Sequence, residues 1–175
     1  MKILGLLRHA KSDWGQSDKR DFDRGLNDRG RRGARVIGDH IRAQGVDWDR
    51  LVASPAERVK QTLAAALPAL APQWDERLYL AGTDTIIDVI REAGGDGDAL
   101  LLSGHNPGLG DMLFELVAPK NENALYDEAK VKFPTAAYAV FELDIDDWAD
   151  LRTGCGTLAH FARPRDLDAE LGPEY

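Results

Sequence analysis

Apolar and polar positions alternate along the chain in blocks that switch between two periods. Residues 2–8 read as a short, continuously apolar strand of the kind buried on both faces of a parallel sheet, ended by Arg8. A polar stretch with Gly15 follows, from Lys11 to about Gly25. Asn27 or Asp28 then caps a helix whose one face carries Ala34, Ile37 and Ile41, with Gly45 as its stop. Leu51-Val52-Ala53 predicts a second short strand. Ser54-Pro55-Ala56-Glu57 predicts a helix start, with Ser54 as N-cap, Pro55 at the first helical position and Glu57 at the third. Val59, Leu63 and Leu67 continue it at i, i+4 and i+8.

Further on, Leu78-Tyr79-Leu80 suggests a strand edge. Thr83 is expected to cap a third helix carrying Ile86, Ile87 and Ile90, which Gly94-Gly95 ends. Ala99-Leu100-Leu101-Leu102 is another buried strand, and Pro107 opens a helix with Met112, Leu113, Leu116 and Val117. Pro119–Lys130 reads as a surface loop. The last third reads as strands at about 136–143 and 156–162, joined through Trp148 and Gly154. The alternation of strands and helices predicts an α/β fold: a doubly wound, mostly parallel central sheet with helices on both faces. No repeat or second domain is visible, so residues 1–175 are expected to form a single domain, the last ten or so a possible tail.

Composition changes this picture little. One cysteine, Cys155, allows no internal disulfide and fits a reducing compartment. The apolar N-terminus is too short for a secretory signal, and no apolar run approaches a membrane span, so no membrane association and a cytoplasmic location are expected. Charge adds more. The chain carries a formal net charge of -8, yet residues 1–60 hold 14 Lys and Arg against 9 Asp and Glu, a local net of +5. Such a chain is a poor candidate for nucleic-acid binding but suits attraction of a small or local anion to its basic third. The arginines at 29, 31, 32 and 35 fit the solvated face of the first helix, or a surface that steers a phosphorylated partner.

Three segments carry chemistry, each just past the carboxyl end of a predicted strand. They are Leu7-Arg8-His9-Ala10, Ser54-Pro55-Ala56-Glu57-Arg58 and Ser103-Gly104-His105-Asn106-Pro107. Ligands of doubly wound sheets bind at that end. Two guanidinium forks there would hold phosphoryl oxygens, a neutral imidazole would attack phosphorus, and a second would stabilise developing charge. Taken singly, each segment is also an ordinary turn or cap. His40, inside the first helix, and His160, in a late strand, read as structural.

Together these segments resemble the histidine phosphatase (phosphoglycerate mutase-like) superfamily. Leu-Arg-His-Ala-Lys-Ser at 7–12 is similar to its Arg-His-Gly/Ala signature. Arg58 in Ser-Pro-Ala-Glu-Arg-Val-Lys-Gln-Thr, 54–62, matches its second arginine, and His105 in Gly-His-Asn-Pro-Gly matches its second histidine. Leu26-Asn27-Asp28-Arg29-Gly30 resembles the stretch opening its first helix. Ala10, Lys11 and Ser12, with the short chain, favour the SixA-like phosphohistidine phosphatase branch.

The resemblance implies a hydrolase that needs no metal or other cofactor and passes through a phosphohistidine on His9. Arg8, Arg58 and His105 would hold the phosphoryl group. Lys11 and Ser12 either line the mouth of the site or are solvent-exposed. Asn106 contacts the phosphate or, as expected, caps the helix at Pro107. The implied substrate is phosphohistidine in a protein, with inorganic phosphate as product. A small-molecule phosphomonoester phosphatase or mutase, a non-catalytic phosphate-binding module, and a metal site on His9 and His105 are ranked below it. The acidic proton donor of the mutase branch has no evident counterpart. Glu76 lies nearest in sequence. Asp18, Asp21 and Asp111 are weaker candidates, read ahead of that as surface charges or, for Asp111, as a first-turn helix residue. A monomer is expected.

Overall fold

In the computed structural model, which describes residues 1–172, the strands are β1 (Lys2–Arg8), β2 (Arg50–Ala53), β3 (Gln73–Trp74), β4 (Ala99–Gly104), β5 (Tyr138–Leu143) and β6 (Gly156–Ala162). They form one sheet in the order β3-β2-β4-β1-β5-β6. The first four positions are parallel, while β5 and β6 pair antiparallel on one side. The helices are α1 (Asp28–Gln44), α2 (Glu57–Ala66), α3 (Thr83–Ala93), α4 (Gly108–Leu116), α5 (Ala124–Ala129) and α6 (Pro164–Leu167).

The unbroken apolar runs in β1 and β4 are needed because both faces of the sheet are covered. Leu4, Leu6, Leu100 and Leu102 join the core shared with α3 and α4. Their neighbours Leu7, Leu51, Ala53 and Leu101 join the core shared with α1 and α2. This is the two-residue alternation of a strand, satisfied on both sides. Among the described residues no helix is long and apolar enough to cross a membrane.

Local signals explain most boundaries. Asn27 caps α1 through its side chain, which accepts from the Gly30 N–H at 2.7 Å, and Gly45 closes the helix with φ 81°. Five expectations are corrected. Ser54 is not the N-cap of α2, which begins only at Glu57 with Ala56 at the cap position; the Ser54 hydroxyl is used elsewhere. Leu78-Tyr79-Leu80 is no strand: Glu76–Leu78 form a 3-10 turn, and the edge strand is the two-residue β3. The 119–130 stretch is no plain loop. It holds a 3-10 turn and α5, which Asn123 caps by accepting from the Tyr126 N–H at 2.9 Å. Nor is the C-terminal segment a free tail as far as Gly172, since Arg32 pairs with Asp168 and Glu170 and thereby docks it on α1. Residues 173–175 lie outside the described part. Thr83, expected as a cap, is the first residue of α3, with Gly82 before it.

One close approach sets the start of α1 against the segment after β1. A Cβ at Gly30 would sit 2.1 Å from the Lys11 carbonyl oxygen, which also accepts from the Asn27 N–H at 3.2 Å. Backbone cannot give way there as a side chain would. Helix propensity alone says Gly→Ala in a helix stabilises by about 0.5–1 kcal/mol. Here Gly30→Ala is expected to destabilise by about 1–3 kcal/mol, seen as a lower melting temperature.

Candidate active site

The sheet register delivers the three chemical segments to one place. Arg8 pairs with Gly104 across β1 and β4, and Ala53 with Ser103 across β2 and β4. The next residue of each strand continues the ladder: the His9 N–H donates to the Gly104 carbonyl at 3.1 Å, and the Ser54 N–H to the Ser103 carbonyl at 3.1 Å. His9, Ser54 and His105 therefore emerge side by side at the carboxyl ends of three adjacent strands, as the strand order requires. Their rings lie close, with the His9 and His105 centroids 5.3 Å apart. Arg58 follows as the second residue of α2.

All four residues picked out by the motifs line a cavity of about 770 Å³. Lys11, Ser12 and Asn106 line it too, so the solvent-exposed alternative for Lys11 and Ser12 does not describe them; Ser12 is buried and bridges to Leu26. Asn106 does act at the helix start: its Oδ1 accepts from the Gly110 N–H at 3.1 Å, while its Nδ2 donates to the Phe133 carbonyl at 2.8 Å. The Phe133 carbonyl also accepts from Arg8 Nη1 at 3.1 Å, so one backbone oxygen orients two residues of the site.

His9 is held in one tautomer. Its Nδ1 lies 2.7 Å from the Ala10 carbonyl, which can only accept, so Nδ1 carries the proton and Nε2 the lone pair. Burial, reinforced by the charges of Arg8 and Arg58, pulls its pKa from 6.5 down to about 4, against the Ala10 hydrogen bond and Asp21, which raise it. His105 is pulled to about 3 by burial, then by His9 and Arg58. His105 Nε2 lies 2.8 Å from Ser54 Oγ. That oxygen already accepts from the Ala56 N–H at 3.3 Å, so its own proton is available to Nε2. The matching tautomer puts the His105 proton on Nδ1. That Nδ1 and Arg8 Nε are buried without a hydrogen-bond partner among the described residues. Two donors without a protein acceptor, in the wall of a cationic cavity, fit the oxygens of an anion.

Both imidazoles are thus neutral in the folded protein at neutral pH, and this has a sign. Below pH 6.5 the unfolded chain takes up protons that the folded chain refuses until about pH 4 and below. Stability is therefore expected to fall as pH drops from about 6.5 toward 4 and to level off beneath. Urea midpoints between pH 7 and pH 4 check this, and His9→Ala is expected to flatten the slope.

The sequence reading missed three residues. Asp21 is no free surface charge: it lines the cavity, its carboxylate accepts from Arg58 Nη2 at 3.0 Å, and its carbonyl accepts from Nη1 at 2.8 Å. The Tyr79 hydroxyl donates to the same carboxylate. Tyr79 and Arg58 hold the Asp21 pKa below its usual value despite partial burial, so it is an ionised carboxylate and no proton donor. Thr62 is buried, accepts from the Ala10 N–H at 2.9 Å and donates to the Arg58 carbonyl at 2.7 Å; it ties the His9 segment to α2. Glu76 is exposed and does not line the cavity, nor do Asp18 and Asp111. His40 and His160, read as structural, pair with each other through Nε2 atoms 2.7 Å apart, joining α1 to β6. Among the described residues no three His, Cys, Asp or Glu side chains converge as a metal-binding group.

Comparisons with known proteins agree with this geometry. Residues 4–80 match the family model for the histidine phosphatase superfamily, branch 1. An uncharacterized protein of Mycobacterium tuberculosis is 35% identical over 160 residues, covering 91% of this chain and all of the relative. Among solved structures, a protein assigned as the phosphohistidine phosphatase SixA of Nakamurella multipartitia superimposes with a TM-score of 0.80 at 29% identity, over 93% of this chain and 96% of that one. The corresponding Agrobacterium tumefaciens protein gives 0.76 at 29% identity, over 93% and 98%. The chain belongs to the histidine phosphatase superfamily. Within that superfamily it falls in the SixA-like branch, and it is a hydrolase of the phosphatase class.

Proposed function

We propose that the chain hydrolyses phosphohistidine carried on a protein, through a phosphorylated His9 and without a metal ion. The observation that carries this reading is His9 itself: a buried, neutral imidazole with its tautomer fixed by the Ala10 carbonyl, set among guanidinium groups. Arg8, Arg58 and the His105 Nδ1–H bind the phosphoryl oxygens and spread the charge that a metal supplies in other phosphoryl-transfer sites. The His9 Nε2 lone pair attacks phosphorus in line. The P–N bond to the substrate imidazole breaks, that nitrogen keeps the bonding pair, and it takes a proton from solvent. Water then attacks the phosphorylated His9; its oxygen bonds to phosphorus, the second P–N bond breaks, and inorganic phosphate leaves with neutral His9 restored.

The carboxylate inventory supports the P–N substrate. Asp21 is the one acidic side chain lining the cavity among the described residues, and it is ionised and paired. A phosphoester with a poor alkoxide leaving group would lack an acid worth about 10²–10⁴-fold, whereas a leaving imidazole nitrogen is basic enough to be protonated by solvent. The SixA assignment of the two structural relatives points the same way. Phosphate release from a phosphohistidine peptide and from p-nitrophenyl phosphate, both in EDTA, tests the reading. It predicts release from the peptide undiminished by chelation. Turnover of the phosphoester alone, or loss of all activity in EDTA, would contradict it.

A further inference from the structure

The cavity is far larger than one phosphoryl group, and its wall runs against the charge of the chain. Among the described residues, seven Lys or Arg side chains and one carboxylate line it, in a protein of net charge -8. Some of these cations are committed. Arg58 pairs with Asp21, and Arg163 with Glu128 and Asp166. Lys132 and Arg165 are different. They line the cavity, play no part in holding the phosphoryl group, and make no hydrogen bond or ion pair with any described residue.

Two apolar side chains share this cavity wall while standing in water. Trp14 is 70% exposed and Leu80 54%. Trp14 is nonetheless held in place, because the Arg24 guanidinium lies 3.9 Å from its ring centroid. Leu80 is kept at φ 53°, a left-handed backbone that a branched side chain adopts only at a cost and that glycine adopts freely. A strained leucine half out in solvent adds little to the fold. Its side chain makes physical sense as a contact offered to something else.

We propose that the mouth of the cavity is a docking surface for an acidic segment of a phosphorylated protein, with Trp14 and Leu80 as apolar anchors and Lys132 and Arg165 as partners for carboxylates flanking the phosphorylated residue. The inference rests on the phosphoprotein reading above and deepens it. Pre-oriented aromatic and aliphatic anchors beside unpaired cations are the composition of a protein-recognition surface. A small phosphoester would use only the floor of the site.

The test is steady-state kinetics of the full chain on four peptides of one length. Each carries a single phosphohistidine or phosphoserine, flanked by Asp and Glu or by Lys and Arg, with p-nitrophenyl phosphate as the small substrate. The acidic flank is expected to raise kcat/KM by about tenfold or more over the basic flank at low salt, and rising salt is expected to shrink the difference. Lys132→Glu combined with Arg165→Glu is expected to abolish or invert the preference. Trp14→Ala and Leu80→Gly are expected to lower kcat/KM on the acidic peptide about tenfold, mainly through KM, and to move p-nitrophenyl phosphate turnover less than about twofold. Leu80→Gly is also expected to leave the melting temperature unchanged or higher.

The flank preference is scored on whichever phosphorylated side chain is hydrolysed. Preference for phosphoserine would therefore sink the phosphohistidine reading and leave the docking surface standing. Equal turnover of both flanks, equal losses on p-nitrophenyl phosphate, or turnover of p-nitrophenyl phosphate with no peptide hydrolysed would overturn the docking surface. Absence of all turnover would overturn both.

Discussion

His9→Ala is expected to abolish turnover, by about 10⁴-fold or more, as removal of a nucleophile that works as one unit with its neighbours does elsewhere. The remaining cations would still bind phosphate, so the loss should appear in kcat with substrate binding largely retained. Collapse of the fold is not the cause to expect. His9 is buried, yet its backbone N–H bond to Gly104 and its carbonyl, which accepts from Ala136 at 2.9 Å, do not involve the side chain. The lost imidazole is also one the folded state keeps neutral at a cost in acid, with a pKa of about 4. The variant should therefore lose less stability than wild type between pH 7 and pH 5. Circular dichroism melts beside activity separate a dead but folded enzyme from an unfolded one.

Arg58→Ala is expected to cost more than the loss of one cation. The guanidinium binds the Asp21 carbonyl and carboxylate through its two terminal nitrogens, and without it the Asp21 carboxylate loses its ion-pair partner and stands as a negative charge in a site meant for phosphate. Loss of a charged transition-state donor is worth about 10²–10³-fold, and repulsion from Asp21 adds to that. Phosphate affinity should fall along with kcat. The double variant Arg58→Ala with Asp21→Asn is expected to recover part of the loss, on the order of tenfold, since it removes the stranded charge but not the missing donor. Asp21→Asn alone should be milder than Arg58→Ala, because Arg58 keeps its charge and the bond to the Asp21 carbonyl. An Arg58→Ala loss that Asp21→Asn does not relieve would show that the carboxylate does not face the bound anion.

The parts of the site legible from the sequence were those fixed by strand periodicity. Arg8, His9 and His105 each follow an unbroken apolar run, so the strand ends locate them, and Arg58 stands at the start of the helix that follows a third. What the sequence could not show is which side chain meets which across irregular chain. Asp21 lies in the aperiodic 11–25 segment, and its partner Arg58 is 37 positions away. With no period to assign it a face, a solvated charge was the natural reading. Tyr79 was misplaced with its segment, because Leu-Tyr-Leu has strand-like composition while the chain turns there as a 3-10 segment. Thr62 looked like any helical residue, since its role depends on α2 lying against the turn after β1. Ser54 reads as a cap because Ser-Pro-x-Glu caps helices in general; its hydroxyl instead serves His105, a partner 51 residues away. The docking of the C-terminal segment on α1 was hidden in the same way, because complementary charges at Arg32, Asp168 and Glu170 look like solvated surface until the chain folds back.

Residues 119–130 show a different limit. Asn123 caps α5, but α5 spans only six residues, too few for an apolar period to register. β3, with two residues, is shorter still.

The central claim is that the phosphoryl group passes through His9, and rapid quenching tests it most directly. The enzyme is mixed with a peptide carrying radiolabelled phosphohistidine, quenched in alkali within milliseconds, digested and mapped. The account predicts transient label, approaching one equivalent, on the peptide containing His9, stable to alkali and lost in acid, and absent from His9→Ala. Release of labelled phosphate with no label on His9 at any time, or label on His105 instead, would contradict it.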